Sequence, residues 1–326
     1  MATADRSLSR GPAPRVVVLG DLMLDVVLAP ERAIQRGTDV PGRVGIRQGG
    51  SAANTARWLC RLGVKTQLIC AVGRDGAGRS LVEQVRADDV TVRVSRIAGA
   101  RTGRIGVIVS HDGERSFVAD RRAADGLKPA DLKAEWFEGV DLLHLPAYSL
   151  LGETLGAAGL RAVELARERK ALVTLDLASS APLLARGRRA ARDLVRAVSP
   201  EVLFASEREA EALLGGYGID GLVDYAATAV VKRGHLGATV IMRDEEAENA
   251  DPASPPHERF DVAAEAAPSA DTTGAGDAFD AGFIAAWLAA RTAGHPAPVA
   301  VHRAVLAGHK AAARHLRSSH PELPPG

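Results

Sequence analysis

The segment DTTGAGDAFDAGF, Asp271–Phe283, sets carboxylates and small residues in front of a helical pattern. Apolar residues recur there at the spacing of one helix face, at Phe279, Phe283, Ile284, Trp287 and Leu288. Gly274, Ala275 and Gly276 therefore fall in the first turn, where unpaired backbone N–H groups and the helix dipole favour an anion. A carboxylate at Asp277 beside such an anion has the chemistry of a general base that deprotonates a hydroxyl attacking phosphorus. An ordinary capped helix explains the same spacing, and the pattern alone leaves both interpretations open.

The composition limits the classes of protein to which the chain can belong. Its 326 residues, 46% of them hydrophobic, suffice for one large domain with a buried core. The net charge of +1 gives no attraction to nucleic acid or to an anionic membrane, so we expect neither as a partner. Cys60 and Cys70 lie in apolar stretches, which suggests a reducing compartment. With no signal-peptide pattern and no apolar run long enough to span a bilayer, a cytoplasmic protein is predicted.

The pattern of apolar runs predicts how the reactive residues are positioned. Strand-like runs such as DLLHL, ALVTLDL, VLFAS and ATVIM alternate with helices near residues 151–169, 187–197 and 207–214. This alternation predicts an α/β fold with a mostly parallel sheet that is covered on both faces. Shorter alternating pieces near residues 37–48 and 91–122, with HDGE as a hairpin turn, predict a small β-strand lid over the carboxyl edge of the sheet. Residues 1–14 and 317–326 are expected to be flexible tails.

Two segments resemble the signatures of a known family. QGGSAANTARWLCRLG, followed by VG at 72–73, is similar to the N-terminal signature of the ribokinase-like (PfkB) carbohydrate kinases, and DTTGAGDAFDAGF is similar to their C-terminal signature. The resemblance covers roughly residues 15 to 315, with the motifs in family order. It implies one ribokinase-like α/β domain over residues 15–316, a three-layer sandwich with a mostly parallel central sheet and a small β-strand lid. It also implies an ATP- and Mg²⁺-dependent kinase of a sugar hydroxyl, and a homodimer formed through the lid.

The resemblance also implies roles for residues at the reacting centre. Asp277 is the implied general base, and the backbone amides from Gly274 to Asp277 form the implied anion hole, which includes Ala275 and Gly276. Asp271 and Thr273 match positions that hold a monovalent cation, often potassium. The residues implied to bind the sugar are Asp25, Gly49, Gly50 and Asn54. An alternative for the Gly-Gly pair is a simple turn before a helix that is capped by Ser51.

On the nucleotide side, the implied contacts come from two strand ends. The residues implied to bind ATP are Ser206, Lys232, Gly234 and Gly237. Glu209 matches the glutamate that organises the water shell of Mg²⁺, although a solvated helix residue is the alternative. The chain departs from its relatives in four places: Ser206 and Asp280 where Asn is common, Arg121-Arg122-Ala123-Ala124 in the lid, and Pro146. The lid departure puts a sugar contact from the lid in doubt, and Pro146 argues against simple ribose.

Other interpretations compete with this one. GRDGAGRS, Gly73–Ser80, nearly matches a P-loop, but Arg79 stands where Lys belongs and the segment 271–283 would stay unexplained. A strand, a turn and a helix explain the same residues. A nucleoside kinase of the same family is an alternative, although only 4% of the residues are aromatic and few rings can stack on a base. A non-catalytic protein that senses sugar or nucleotide is a further alternative, which the loss of Asp277 would have favoured.

Overall fold

The computed structural model describes residues 13–110, 115–216, 218–243, 257–264 and 272–318, and every element named below lies in those ranges. The strands are β1 (Arg15–Leu19), β2 (Met23–Pro30), β3 (Gly42–Gly49), β4 (Lys65–Gly73), β5 (Thr91–Ile97), β6 (Arg104–Val109), β7 (Arg115–Asp120), β8 (Leu142–Pro146), β9 (Leu172–Asp176), β10 (Val202–Ser206), β11 (Thr228–Lys232), β12 (Ala238–Arg243) and β13 (His257–Val262). The α-helices are α1 (Ser51–Arg61), α2 (Gly76–Ala87), α3 (Glu153–Glu168), α4 (Ser180–Leu183), α5 (Arg188–Val198), α6 (Glu207–Leu214), α7 (Ala275–Thr292) and α8 (Ala297–Arg317).

Within those ranges the strands form two sheets. The larger has nine strands in the order β13-β12-β11-β10-β9-β8-β1-β4-β5. Neighbours from β11 to β5 are parallel, whereas β12 and β13 are antiparallel. The smaller sheet has four strands in the order β3-β2-β6-β7. Because the parallel strands run in one direction, their carboxyl ends meet at one edge, where the ligands of α/β proteins bind.

Helices cover both faces of the larger sheet. Since successive side chains of a strand point to opposite faces, each strand contributes apolar side chains to both. In β1, Val16 and Val18 belong to one apolar cluster, and Val17 and Leu19 belong to another. The first cluster includes residues of α1, α2, α7 and α8, and the second includes residues of α3, α5 and α6. The sheet is the middle of three layers, which confirms the predicted α/β sandwich with a mostly parallel sheet.

Helix α7, which carries Asp277, crosses α8 at close range. A Cβ atom at Gly282 would lie 2.7 Å from the carbonyl oxygen of Ala307, and one at Gly308 would lie 2.9 Å from the ring of Phe279. Larger residues at these two positions would push the helices apart. The crossing therefore fixes where the first turn of α7 meets the edge of the sheet.

The smaller sheet is not formed by the same segments as the predicted lid. Residues 91–97, predicted as part of the lid, form β5 and pair in parallel with β4 in the larger sheet. Strand β2, which belongs to an apolar run that continues from β1 in the sequence, pairs with β3 and β6 instead. Short alternating strands have the same local pattern in either sheet, so only the pairing partner separates them. The predicted HDGE turn at 111–114 lies outside the described residues.

The predicted tails are described only at their inner ends. Helix α8 ends at Arg317, just past the predicted domain boundary at 316, and residues 1–12 and 319–326 lie outside the described ranges. Among the described helices, none is both long and apolar enough to cross a bilayer.

Candidate active site

Three polar residues end neighbouring strands at the carboxyl edge of the larger sheet. Asp176 ends β9, Ser206 ends β10 and Lys232 ends β11. These strands are adjacent and parallel: Ser206 and Lys232 are register partners, and Asp176 is paired with Phe204, two residues before Ser206. The first turn of α7 reaches the same edge, because a Cβ atom at Gly276 would lie 3.5 Å from Nζ of Lys232. The candidate site lies between this edge and the N-terminus of α7.

The carboxylate of Asp277 is held by the first turn of α1. Its Oδ1 accepts a 2.6 Å hydrogen bond from Oγ of Ser51, and its Oδ2 accepts a 2.9 Å hydrogen bond from Nδ2 of Asn54. Burial raises the pKa of Asp277 to about 6, although the hydrogen bonds from Ser51 and Asn54 act in the opposite direction. A carboxylate with a pKa near neutrality is suited to general-base chemistry. Ser51, considered from the sequence only as a helix cap, contacts the carboxylate instead, and the N-cap of α1 is Gly50.

The start of α7 leaves backbone donors at the site. Its N-cap, Gly274, has φ of 82°, a left-handed conformation that a residue with a side chain adopts only with strain. The N–H of Ala275 donates to the carbonyl oxygen of Thr272 at 3.2 Å. Among the described residues, no acceptor takes the amides of Gly276 and Asp277. Within the described ranges the amide of Gly274 has no acceptor either, so of the predicted anion hole only the amide of Ala275 is already engaged.

His315 of α8 supports this turn, and no local sequence signal singled it out. Its Nε2 lies 2.6 Å from the carbonyl oxygen of Thr273, and its Nδ1 lies 3.2 Å from the indole nitrogen of Trp58. Because the indole N–H can only donate, Nδ1 accepts and the Nε2–H donates to Thr273. Thr273, assigned by the resemblance to a monovalent cation, therefore has its carbonyl oxygen against an imidazole. The other residue of that assignment, Asp271, lies outside the described residues.

A buried ion triad lies behind the first turn of α7. Nζ of Lys232 lies 3.2 Å from Oδ1 of Asp176 and 3.1 Å from Oδ1 of Asp280. Burial disfavours the charge of Lys232, but the two carboxylates outweigh it and raise the pKa of the lysine. Burial, followed by the Asp176 carboxylate, raises the pKa of Asp280 well above its usual value. Lys232, predicted to lie near the phosphates, is thus also the partner of two buried acids.

Ser206 and Glu209 form a capping box at the start of α6. Oγ of Ser206 accepts from the N–H of Glu209 at 3.3 Å, and Oε2 of Glu209 accepts from the N–H of Ser206 at 2.7 Å. Burial, and then the charge of Asp176, raises the pKa of Glu209. Both residues predicted to serve the nucleotide and Mg²⁺ therefore also have a structural role. The mutual repulsion of Glu209 and Asp176 is one that a bound cation would relieve.

The residues predicted to bind the acceptor meet where the smaller sheet joins α1. The carboxylate of Asp25 occupies the space that a Cβ atom at Gly49 would need. Gly50 then starts α1, whose first turn places Asn54 against Asp277. The predicted acceptor residues and the predicted base are therefore brought to one place.

Asp21, the first acid in GDLMLD, positions α1, a role that its place in the sequence did not indicate. Its Oδ1 accepts a 3.2 Å hydrogen bond from the N–H of Ala52, and its Oδ2 pairs with Nη1 of Arg121 at 3.2 Å. The guanidinium of Arg121 also lies 5.1 Å from the ring centre of Tyr148. Arg121, in the lid stretch that departs from the family pattern, is thus bound to Asp21.

Gly234 and Gly237 close the turn that follows β11. The N–H of Arg233 donates to the carbonyl oxygen of Gly237 at 2.8 Å, and the N–H of Gly237 donates to that of Gly234 at 3.1 Å. A Cβ atom at Gly237 would collide with the backbone of Val262 at the end of β13. The close approach at Gly237 is therefore to a neighbouring strand, and its contact with ATP stays a prediction.

The rival phosphate loop has a structural explanation. Asp75 caps α2 by accepting from the N–H of Gly78 at 2.8 Å, and its second oxygen accepts from the N–H of Thr102 at 2.9 Å. The segment Gly73–Ser80 is thus a strand end, a capped turn and a helix.

In the part of the chain that the structure describes, no cluster of three or more His, Cys, Asp or Glu side chains could hold a metal ion.

Comparison with known proteins decides the family. Residues 13–322 match the family model described as pfkB family carbohydrate kinase. The chain belongs to this family of carbohydrate kinases. This confirms the resemblance on which the residue assignments rest.

The pfkB family relatives differ in substrate. ATP-dependent ribose-1-phosphate kinase of Halopiger xanaduensis is 32% identical over 285 residues, which is 84% of this chain and 85% of the relative. Fructokinase-2 of Solanum lycopersicum is 30% identical over 210 residues, and the match spans 63% of each chain, less than two thirds of that fructokinase. The crystal structure of adenosine kinase from Sinorhizobium meliloti matches with a TM-score of 0.77 at 22% identity, over 94% of this chain and 95% of that chain. This last likeness shows the shared fold.

Proposed function

We propose that this pfkB family protein transfers a phosphoryl group from ATP to a hydroxyl of a sugar or sugar-like substrate. The observation that carries the proposal is the placement of Asp277. Its carboxylate has a pKa of about 6, lies in the first turn of α7 beside two available amides, and is oriented by Ser51 and Asn54. A base and an anion cradle on the same helical turn are what in-line phosphoryl transfer requires.

On the acceptor side, Asp25 and Asn54 bind the substrate so that one hydroxyl reaches Asp277. A carboxylate accepts hydrogen bonds from two neighbouring hydroxyls, and the Asn amide can both donate and accept. Gly49 and Gly50 keep side chains out of this space, and Asp25 already lies against Gly49. Asp277 then takes the proton from the hydroxyl as its oxygen attacks phosphorus, and the carboxylate is available to accept it because it is ionised above its pKa of about 6.

On the donor side, the amides of Gly276 and Asp277 receive the transferring phosphoryl oxygens. Lys232 adds positive charge behind them, since its ammonium lies against Gly276 and is kept protonated by Asp176 and Asp280. The repulsion between Glu209 and Asp176 fits a Mg²⁺ held through water near Glu209. Mg²⁺ supplies charge neutralisation for the phosphates. The carbonyl oxygen of Thr273 already contacts His315. It therefore fits a monovalent-cation site only if it contacts the cation in addition to His315.

The smaller sheet is proposed to act as the lid. It carries Asp25 on β2 and Gly49 on β3, so its movement would bring these two residues towards or away from Asn54 on α1. Closure would exclude water, which otherwise competes for the phosphoryl group.

A nucleoside acceptor is the second candidate, and one side chain favours it. Phe117 of β7 is 59% exposed and pairs with Val107, which places it on the same face of the smaller sheet as Asp25. An exposed ring on the acceptor face can stack on a nucleobase. A panel of substrates distinguishes this candidate from a sugar, and from a protein that only senses its ligands.

The test is Mg²⁺-dependent ADP release from ATP across sugars and nucleosides, with and without potassium. We expect turnover with a sugar, and we expect Asp277→Ala to lower kcat by a factor on the order of 10² or more while ATP binding is kept. Asp193→Ala, at an exposed acid on α5, is the matched control and should leave kcat unchanged. ATP binding without turnover on any substrate would instead support a sensor.

A further inference from the structure

A second concave site lies at the amino ends of the strands, at the edge of the larger sheet opposite Asp277. A cavity of about 440 Å³ opens there, which is the size of a small-metabolite site. Its walls come from the starts of β1 and β4, from β5, and from Trp136 in the 3₁₀ segment Ala134–Phe137. Because the full length of the strands separates the two edges, an occupant of this cavity cannot react at Asp277.

The cavity concentrates positive charge. Arg15, Lys65 and Arg93 line it, with Asp89 as its one carboxylate. Arg15 and Lys65 are register partners on adjacent parallel strands, so both side chains leave the same face of the sheet. Like charges in such positions repel each other. Within the described residues, none of these three cations forms an ion pair with a carboxylate.

Arg93 is held in a fixed orientation at this cavity. Its Nε donates a 2.9 Å hydrogen bond to Oε1 of Gln67, and Nε2 of Gln67 donates a 3.2 Å hydrogen bond to the carbonyl oxygen of Trp136. The guanidinium carbon lies 5.6 Å from the centre of the Trp136 ring. These contacts orient the guanidinium through Nε and leave its terminal nitrogens for an anion, which they can bind in a bidentate way.

We propose that this cavity binds a small phosphate monoester at a site separate from the catalytic one. Three cations against one carboxylate suit a dianionic phosphate, and Trp136, which lines the cavity beside Arg93, offers apolar contact to the organic part. The proposal holds for either candidate acceptor.

The test uses the full chain labelled with 5-fluorotryptophan and read by fluorine NMR. The three tryptophans report different places: Trp136 lines the cavity, Trp58 contacts His315 beside the catalytic turn, and Trp287 is buried. Inorganic phosphate, ribose 5-phosphate and AMP are titrated separately, with ribose and adenosine as uncharged controls. We expect a saturable shift of the Trp136 signal with the organic phosphates, at concentrations at which the Trp58 signal does not move.

Variants connect the shift to the cavity. Arg15→Gln combined with Lys65→Gln should weaken binding of the organic phosphates about tenfold or more. The kinase rate, measured in the absence of these probes, should stay unchanged. Arg186→Gln combined with Arg189→Gln, at exposed positions near the start of α5, removes the same charge and should leave binding intact. Tighter binding of AMP than of ribose 5-phosphate would identify a nucleotide ligand, and equal binding would identify the phosphate as the recognised group. A Trp136 signal that no probe moves, or one that moves equally in the Arg15 and Lys65 variant, would overturn the proposal.

Discussion

Oγ of Ser51 donates a 2.6 Å hydrogen bond to Oδ1 of Asp277, although 226 positions separate the two residues. The contact joins the first turn of α1 to the first turn of α7, and thus the acceptor side of the site to its base. A hydrogen bond to an ionised carboxylate favours the ionised form. Ser51 therefore does more than start a helix, because it lowers the pKa that burial of Asp277 raises.

Removing this hydroxyl should change the pH dependence of the reaction. For the native enzyme, kcat/KM should fall as the pH drops through about 6, because Asp277 becomes protonated and cannot act as a base. In Ser51→Ala the pKa loses a lowering contribution, so the acid limb should move upward by about one pH unit. The two enzymes should approach each other in rate near pH 8. Rate profiles from pH 5 to 9 measure this, with Ser95→Ala on β5 as the control. An acid limb that stays in place would mean that Ser51 does not contact Asp277 during the reaction.

The left-handed conformation of Gly274 should be needed for catalysis as well as for stability. In Gly274→Ala, the alanine would have to adopt a left-handed φ of 82°. Its Cβ atom would also lie 3.1 Å from an atom of the His315 ring. Gly294, just after the other end of α7, is a matched control. It has a φ of 73°, and a Cβ atom added there would have no contact within 4 Å. Both substitutions should cost about 1–2 kcal/mol of unfolding free energy, but only Gly274→Ala should lower kcat. Urea unfolding and steady-state kinetics measure the two effects, and equal activities of the two variants would contradict the proposed anion hole.

The ion triad should show its coupling in a double substitution. Lys232→Met leaves Asp176 and Asp280 buried without their cation, which should cost about 3–5 kcal/mol of unfolding free energy. Adding Asp280→Asn removes one of the stranded charges and should recover part of that loss. Lys310→Met, at an exposed position on α8, serves as the control and should change little. Strictly additive losses in the double variant would show that Lys232 and Asp280 are not coupled.

The outer face of the smaller sheet should pair with a second copy of the chain. Val44, Ile46 and Val118 are 68%, 43% and 66% exposed, and the strand register puts all three on the face opposite Asp25. Arg104 and Asp120, cross-strand partners on that same face, offer both signs of charge to a symmetry-related copy.

Ile46→Asp combined with Val118→Asp should convert a dimer to a monomer, because apolar area that would be buried becomes charged. Light scattering during size-exclusion chromatography measures the mass. Leu306→Asp, at a 40% exposed position on α8, should leave the dimer intact. A native chain that is already monomeric at micromolar concentration would rule out this interface.

Much of the fold follows from local patterns. The strand Val202–Ser206, the helix Glu207–Leu214 and the strand Thr91–Ile97 have the bounds that the apolar runs predict, because each element is encoded by the spacing of its own residues. The first turn of α7 is predictable for the same reason, and Asp277 with it. The sheet to which β5 belongs is not, because strand pairing joins segments that are distant in the chain and alternate in the same way.

In the candidate site, too, some features follow from local spacing and others depend on contacts between remote elements. Local spacing is enough to identify the carboxylate that stands in a glycine-rich helix start, since Gly274, Gly276 and Asp277 are neighbours in the chain. Only the folded chain shows that Ser51 contacts Asp277, that His315 supports Thr273, and that Asp280 shares Lys232 with Asp176. Each of these contacts joins elements that are remote in the chain, and a hydrogen bond depends on distance and direction in space, which spacing along a sequence does not encode.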